Sequence, residues 1–370
     1  MSQDHLSRRQ FLSHSSVAVA ALGAGLSLTP TSWAEEKKEP EKGHRVLGRT
    51  GLVVTQITFG GLMVGSPALV NAAIDKGINL IHLGPTYQRG RTMTIYAEVM
   101  KTRRNEVFIG LKQDPVGGID GSLKALHTDH VDILMPGLTT LDEISNPRLP
   151  EAFEKLKKEG KIRFTGYAAH SNVPDVIAQS IELGWYDVIL ASYNMGNRDL
   201  VDPLLERAKR ERNMGFMAMK AVKDLKGKPP ETVKQAYANY LKNKNLDTLL
   251  VGMGSFDDLN TNAEACFEKY AEAPSENLEE AIRYAKANSC SACGACKICP
   301  NGVAVCDILR FEGYLSCGEY ELALDSYGQL RPQQRADRCQ GCGQCTSVCP
   351  KSLDIPARLR KVHAALAAYA

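Results

Sequence analysis

Eight of the eleven cysteines in this 370-residue chain fall in two short runs near its C-terminal end. The first is Cys290, Cys293, Cys296 and Cys299, followed by Pro300; the second is Cys339, Cys342, Cys345 and Cys349, followed by Pro350. Thiolates spaced Cys-x2-Cys-x2-Cys can wrap three corners of a cuboidal iron-sulfur cluster, because each two-residue spacer lets the backbone turn and aim the next sulfur at another iron. Where one chain holds two such clusters, the cysteine before the proline ligates the cluster of the other run. The expected ligand sets are therefore Cys290, Cys293, Cys296 and Cys349 for one 4Fe-4S cluster, and Cys339, Cys342, Cys345 and Cys299 for a second. The first run is one residue shorter than the second before its last cysteine, a departure from the usual spacing. Zinc sites generally pair Cys-x2-Cys units across a long gap, and cysteines three apart at every step are awkward to pair as disulfides. Cys266, Cys306 and Cys317 have no ligand spacing and read as buried small hydrophobes, with Cys306 close enough to Cys299 to stand as a reserve ligand.

The elements that carry these runs read as a large α/β domain followed by a mainly helical one. From Val46 to about Tyr270, short apolar runs alternate with segments of helical period. The runs are Val54–Phe59, Ile78–Leu83, Val107–Lys112, Val131–Met135, Ile162–Ala168, Asp187–Tyr193, Gly215–Ala221 and Thr248–Gly252. Continuous apolar strands between amphipathic helices imply a parallel sheet, and eight such units predict a closed (β/α)8 barrel over residues 46–270. In such a barrel the chemistry sits just after the strands. Those positions hold His82, Gly84 and Tyr87; Lys112; Pro136, Gly137 and Thr139; His170, Ser171 and Asn172; Tyr193 and Asn194; Lys220; and Gly252, Gly254 and Ser255. A linker over 271–279 then leads to the cysteine domain, 280–370, with helices expected at Glu279–Lys286, Val303–Leu315 and Tyr320–Tyr327 and a last one running to Ala370.

The chain resembles the aldo/keto reductase family, in its branch with a C-terminal ferredoxin-like module. The marks are Leu47-Gly48-Arg49-Thr50-Gly51-Leu52, Gly77-Ile78-Asn79, Leu156 to Arg163, Tyr193-Asn194 and Gly252-Met253-Gly254-Ser255. The resemblance implies a catalytic group of Asp, Tyr, Lys and His, in which the tyrosine donates a proton to the carbonyl, the lysine lowers its pKa, the aspartate orients the lysine and the histidine directs the substrate. The tyrosine falls on Tyr87 and the lysine on Lys112, but the aspartate falls on His82 and the histidine on Gly137 or Pro136. A neutral histidine cannot replace a carboxylate, and neither glycine nor proline carries a side-chain donor. His170, after the fifth strand, is the candidate substitute acid.

The resemblance also implies an NAD(P) cofactor, with Tyr193 stacked on the nicotinamide, Asn194 beside it, and Gly254 and Ser255 at the phosphates. Against this, Asp257 and Asp258 follow directly and would repel an added phosphate.

The first 34 residues read as a leader. Arg8-Arg9-Gln10-Phe11-Leu12 precedes an apolar segment of roughly twelve residues, short of the ~20 that span a bilayer, and Ser32-Trp33-Ala34 offers a cleavage site. The paired arginines resemble a twin-arginine signal. That route carries folded cargo, as clusters inserted in the cytoplasm require, and predicts a periplasmic protein without a membrane span once the leader is removed. A net charge of +3 with no dense Lys/Arg stretch gives no reason to expect nucleic acid. The leading expectation is an exported electron-transfer protein with a redox partner protein and an altered barrel. A reductase that takes electrons from the clusters to a small-molecule substrate, using Tyr87, Lys112 and His170, is the second, and a docking subunit with structural clusters the third.

Overall fold

The computed structural model describes residues 40–225, 228–267, 275–316 and 319–367. The expected leader, residues 271–274 of the expected linker and Cys317 lie outside them. Eight parallel strands close a barrel: β3 (Ile57–Gly60), β4 (Leu80–Leu83), β5 (Phe108–Leu111), β6 (Val131–Leu134), β7 (Ile162–Ala169), β8 (Val188–Ser192), β9 (Gly215–Met219) and β10 (Thr248–Gly252), with β10 pairing back to β3. They precede it with an antiparallel hairpin of β1 (His44–Val46) and β2 (Val53–Thr55).

The expected first strand, Val54–Phe59, is thus two elements. At Thr55 and Gln56 the ladder changes partner: Thr55 N–H donates to the Asn79 side chain (2.8 Å) and Gln56 N–H to the Gly43 carbonyl (2.8 Å). The hairpin has a structural task. Leu47, Leu52 and Val54 are buried in the inner core with Leu80, Ile133, Val188 and Met217, so the hairpin plugs the N-terminal end of the barrel. Gly48 is required there, with φ of 49° and room for a Cβ only 2.2 Å from Gly215 N.

Helices cover the outside because their apolar residues repeat at three and four. In Arg148–Lys158 the buried residues are Leu149, Phe153 and Leu156, with Lys and Glu between them. The helix expected at Glu279–Lys286 runs from Glu276 to Asn288, capped by Ser275 Oγ accepting from Leu278 N–H (3.3 Å). Its Leu278, Ala281 and Ala285 join the outer barrel core. It therefore belongs to the barrel's shell, and the cysteine module begins after it. That module has its own core of Ile308, Phe311, Tyr327, Ile355, Leu359 and Val362, on the helices Val305–Ser316, Tyr320–Gly328 and Ile355–Leu366. Among the described residues no helix is long and apolar enough to cross a membrane.

Candidate active site and cysteine module

With one end plugged, the open C-terminal end of the barrel leads into a cavity of about 670 Å3 roofed by the tail. His82, Tyr87, Lys112, His170 and Lys220 line it from the strand ends, and Arg310 and Tyr314 from the tail helix. Lys112 Nζ lies 3.1 Å from His170 Nε2. The lysine reaches it by crossing Gly137, where an added Cβ would stand 3.3 Å from Lys112 Cε. A larger residue at 137 would crowd that path.

The electrostatics follow from burial among like charges. Desolvation, opposed by Tyr314 and reinforced by Arg310 and Lys220, brings Lys112 down to about 8. Burial first, then Lys112, Lys220 and Arg310, hold His170 well below the ordinary histidine range. His82 is brought to about 3 by burial and by Lys112. Both imidazoles are therefore neutral at neutral pH, and His170 Nε2 accepts the lysine's N–H, which leaves the proton on Nδ1. Burial pushes the Tyr87 phenol up, making it a weaker acid.

Tyr87 stands on a strained loop. Gln88 and Arg89 have φ of 47° and 54°, left-handed values that non-glycine residues adopt at a cost of about 1–3 kcal/mol. Gln88 Nε2 anchors the turn on the carbonyls of Leu62 (2.7 Å) and Val64 (3.1 Å), and Arg89 Nη2 reaches Asp325 of the tail at 3.0 Å.

Of the nicotinamide candidates, Gly254 lines the cavity and Tyr193, Asn194 and Ser255 do not. Side chains alternate along β8, so Ser192 lines the cavity while Tyr193 points outward. Tyr193 is fully buried against Phe216 and Tyr240, with its hydroxyl donated to Asp202. Asn194 is buried beside it and accepts from Gly196 N–H (2.9 Å). After β10, the N–H groups of Gly254 (3.1 Å) and Ser255 (3.0 Å) both donate to Asp258 Oδ2, and Ser255 Oγ accepts from Asp258 N–H (3.1 Å). This is a capping box for the helix Phe256–Phe267; the chain's own carboxylate occupies the donors a phosphate would use.

The two cysteine runs repeat one backbone plan. Ala292 and Gly294 flank Cys293 with φ of 55° and 83°, and Gly341 and Gly343 flank Cys342 with 68° and 76°. Three residues past the last cysteine, Gly302 and Ser352 are again left-handed (70° and 50°), each donating to the carbonyl of Cys299 (3.1 Å) or Cys349 (3.0 Å). Each run then enters a helix, Val305–Ser316 or Ile355–Leu366. The missing spacer residue is absorbed by pitch: the first run uses a 3₁₀ turn at Ala295–Ile298 where the second uses an α turn at Gln344–Ser347. Three residues at a 3₁₀ rise cover the same ~6 Å as four at an α rise.

Cys290, Cys293, Cys296 and Cys349 all line the cavity. Cys345 is buried, Cys299 and Cys339 are half-buried and Cys342 is exposed. Cys306 Sγ lies 3.4 Å from Cys296 Sγ, and Cys266 is buried, with its thiol toward the Gly43 carbonyl (3.3 Å). Among the described residues, no three His, Cys, Asp or Glu side chains close on a point as ligands of a single ion would.

The first run docks on the loops after the strands. Val173 N–H donates to the Ala292 carbonyl (3.0 Å), Lys297 Nζ to Thr139 O (2.6 Å) and Asn197 Nδ2 to Ser291 O (3.3 Å). Asn172, with its amide oriented to donate, stands 3.2 Å from the Cys293 carbonyl. Gly294 packs so closely on it that a Cβ would lie 2.6 Å from the Asn172 side-chain amide. Sequence reading placed Lys220 at a strand end without a role, and Arg310 and Tyr314 escaped it altogether. Four apart on a helix, they share a face, but nothing in the sequence tells that this face covers the barrel.

Residues 65–227 match the model of the aldo/keto reductase family. The chain is 27% identical over 281 residues to the L-galactose dehydrogenase of Arabidopsis thaliana, covering 60% of this chain and 88% of that one. It is 27% identical over 187 residues to the uncharacterized oxidoreductase YqkF of Bacillus subtilis, covering 44% of this chain and 60% of the relative's length. Among solved structures, the holo form of aldo-keto reductase AKR11C1 from Bacillus halodurans superposes with a TM-score of 0.55 at 20% identity, covering 66% of this chain and 96% of that one.

Proposed function

We propose that this chain, whose residues 65–227 match the model of the aldo/keto reductase family, is a reductase that receives electrons through its cysteine-rich tail and reduces a small substrate in the barrel mouth, with Lys112 as proton donor. One observation carries this reading: Cys290, Cys293, Cys296 and Cys349 line the same cavity as Lys112 and His170. A module that only passed electrons between other proteins would gain nothing by facing its first run into the barrel.

The residues fit two 4Fe-4S clusters. The same left-handed turns flank the second cysteine of each run, and Cys349 lies on the cavity wall with the first run. Cys290, Cys293, Cys296 and Cys349 would hold one cluster, and Cys339, Cys342, Cys345 and Cys299 the other. When bound, such clusters supply single electrons over a span of about −700 to +450 mV.

The chain's own groups manage position and protons. Lys112, at about 8, is charged at neutral pH yet acidic enough to give up its proton, the condition for an efficient general acid. Neutral His170 accepts one ammonium N–H and fixes its direction without the charge of a carboxylate, which would hold the proton too firmly. Two electrons and two protons convert a carbonyl to an alcohol: Lys112 Nζ gives the proton that ends on oxygen, and water, which also recharges the lysine, gives the proton that becomes bonded to carbon. The roof of Arg310 and Tyr314 limits water around the reacting group. Nicotinamide is not needed, in keeping with the occupation of Gly254 and Ser255 by Asp258. Export of the folded holoprotein through the leader, and a periplasmic redox partner protein, belong to the same reading.

The test uses full-length protein purified without oxygen and reduced with a one-electron dye. Addition of small carbonyl compounds is expected to re-oxidise it with matching loss of carbonyl, and Lys112→Met to abolish this. Carbonyl reduction driven by NADPH in iron-free protein would overturn the reading. So would electron transfer to dyes or proteins in which Lys112→Met changes nothing and no carbonyl is consumed; that result returns the chain to the class of electron carriers.

A further inference from the structure

We infer, resting on the reductase reading above, that the substrate is a small organic carboxylate and that Arg310 of the tail selects it. Three buried side-chain nitrogens without a hydrogen-bond partner, His82 Nε2, His170 Nδ1 and Arg310 Nε, belong to residues that line this one cavity. An unmet buried donor costs about 1–3 kcal/mol, so a cluster of them around a void marks a site completed by a ligand. Since His170 Nε2 accepts from Lys112, its Nδ1 is a donor, as Arg310 Nε is always. The ligand must therefore bring acceptors.

The ions that act on the lysine–histidine pair are cations. Lys112, Lys220 and Arg310 are the ions that act on His170, and Arg310 and Lys220 those that act on Lys112. The cavity wall also carries three carboxylates, Asp257, Asp258 and Glu319: the two aspartates lie on the β10 loop, where Asp258 caps its helix, and Glu319 opens the tail helix Tyr320–Gly328, while Asp307, off the wall, takes Arg310 Nη2 at 2.9 Å and leaves Nε unmet. Lys220 has φ of 63°, and its Nζ stands 4.3 Å from the Tyr314 ring centroid. A left-handed lysine is strain of the kind found at ligand sites, and the aromatic face holds the ammonium in place. A planar carboxylate matches a guanidinium edge better than a tetrahedral oxyanion filling the same space, and it brings to the unmet donors acceptors of charge opposite to that of Lys112 and Arg310. Because Arg310 comes from the tail, the electron-receiving module also helps to choose the substrate.

The test is calorimetric titration of the oxidised, full-length holoprotein at fixed ionic strength with oxalate, its neutral diamide oxamide, and inorganic phosphate. Oxalate is expected to bind one per chain, at least tenfold tighter than either of the others. Arg310→Gln should lose about tenfold in oxalate affinity, while Arg210→Gln, an exposed arginine paired with Glu206 and Glu211 and outside the cavity lining, should lose none. Oxamide or phosphate binding as tightly as oxalate, or equal losses in the two variants, would overturn the inference. The wild-type comparison stands even if Arg310→Gln folds poorly. No turnover is read, so oxalate binding in a protein that reduces nothing sinks only the reductase reading, and turnover without oxalate binding sinks only this one.

Discussion

Lys112 Nζ and His170 Nε2 lie 3.1 Å apart, joined across the position where Gly137 carries no side chain. The histidine that the family resemblance places after β6 is missing there, and an imidazole from the end of β7 meets the lysine instead. The consequence is a buried ammonium beside neutral nitrogen rather than beside carboxylate.

This pairing sets a pH dependence. The folded-state pKa of Lys112, about 8, lies below its ordinary value of 10.5. Between those values the unfolded chain binds the extra proton, so this group makes stability rise with pH from about 8 to 10.5 and opposes folding below that window. Lys112→Met should therefore raise the urea midpoint at pH 7, and the gain should shrink as pH climbs through the window. A midpoint gain that does not change with pH would show that the lysine is not desolvated as described. Reduction by the wild type should decline above pH 8 as the donor loses its proton.

His170→Phe removes the imidazole that accepts a hydrogen bond from Lys112. Turnover is expected to fall by about 10²–10³, the usual worth of a positioned proton-transfer group, and the alkaline limb of the pH profile to move. A fall in turnover with an unmoved profile would assign His170 to packing alone.

The ligand sets make opposite demands on neighbouring cysteines. Cys349→Ala should lose about half of the bound iron while sparing the cluster assigned to Cys339, Cys342 and Cys345, as read by iron analysis and electron paramagnetic resonance. Cys306→Ser should leave iron unchanged despite its thiol standing 3.4 Å from Cys296. Iron loss in Cys306→Ser equal to that in Cys299→Ala would instead make Cys306 a ligand.

Docking of the tail rests on a glycine. Gly294→Ala would place a methyl 2.6 Å from the Asn172 side-chain amide on a backbone with φ of 83°, at a cost of about 1–3 kcal/mol. Limited proteolysis should then cut between barrel and tail sooner than in the wild type, whereas Gly313→Ala, with open space at its Cβ, should be silent.

The loop after β10 yields a gain-of-function test. Asp258→Ser frees the Gly254 and Ser255 N–H groups at a helix start, where phosphate binds readily. Binding of NADP+, followed by quenching of intrinsic fluorescence, should be tighter in the variant than in the wild type. The helix should lose about 1 kcal/mol with its cap.

Much of this molecule was written in local pattern. Apolar runs between helical segments announce an eight-stranded barrel, and the order of strands follows because parallel neighbours need a helix between them. The cysteine spacing also announces its turns, since left-handed residues on both sides of Cys293 and Cys342 are what short spacers demand. The split of Val54–Phe59 was not legible, because both pieces are apolar and only the pairing partner changes at Gln56. Nor was the orientation of Tyr193: one residue of register along a strand exchanges the barrel mouth for the helix layer.

The sequence by itself determined the barrel, the position of Lys112 and His170 at strand ends, and the two thiol runs, because each depends on residues near one another in the chain. Only the tertiary structure decided that the tail roofs the barrel, that Lys112 meets His170 over Gly137, and that Arg310 and Tyr314 share a cavity with four cysteines. Those relations join residues scores of positions apart, and they are set by which surfaces bury each other, a property of packing that no local spacing records.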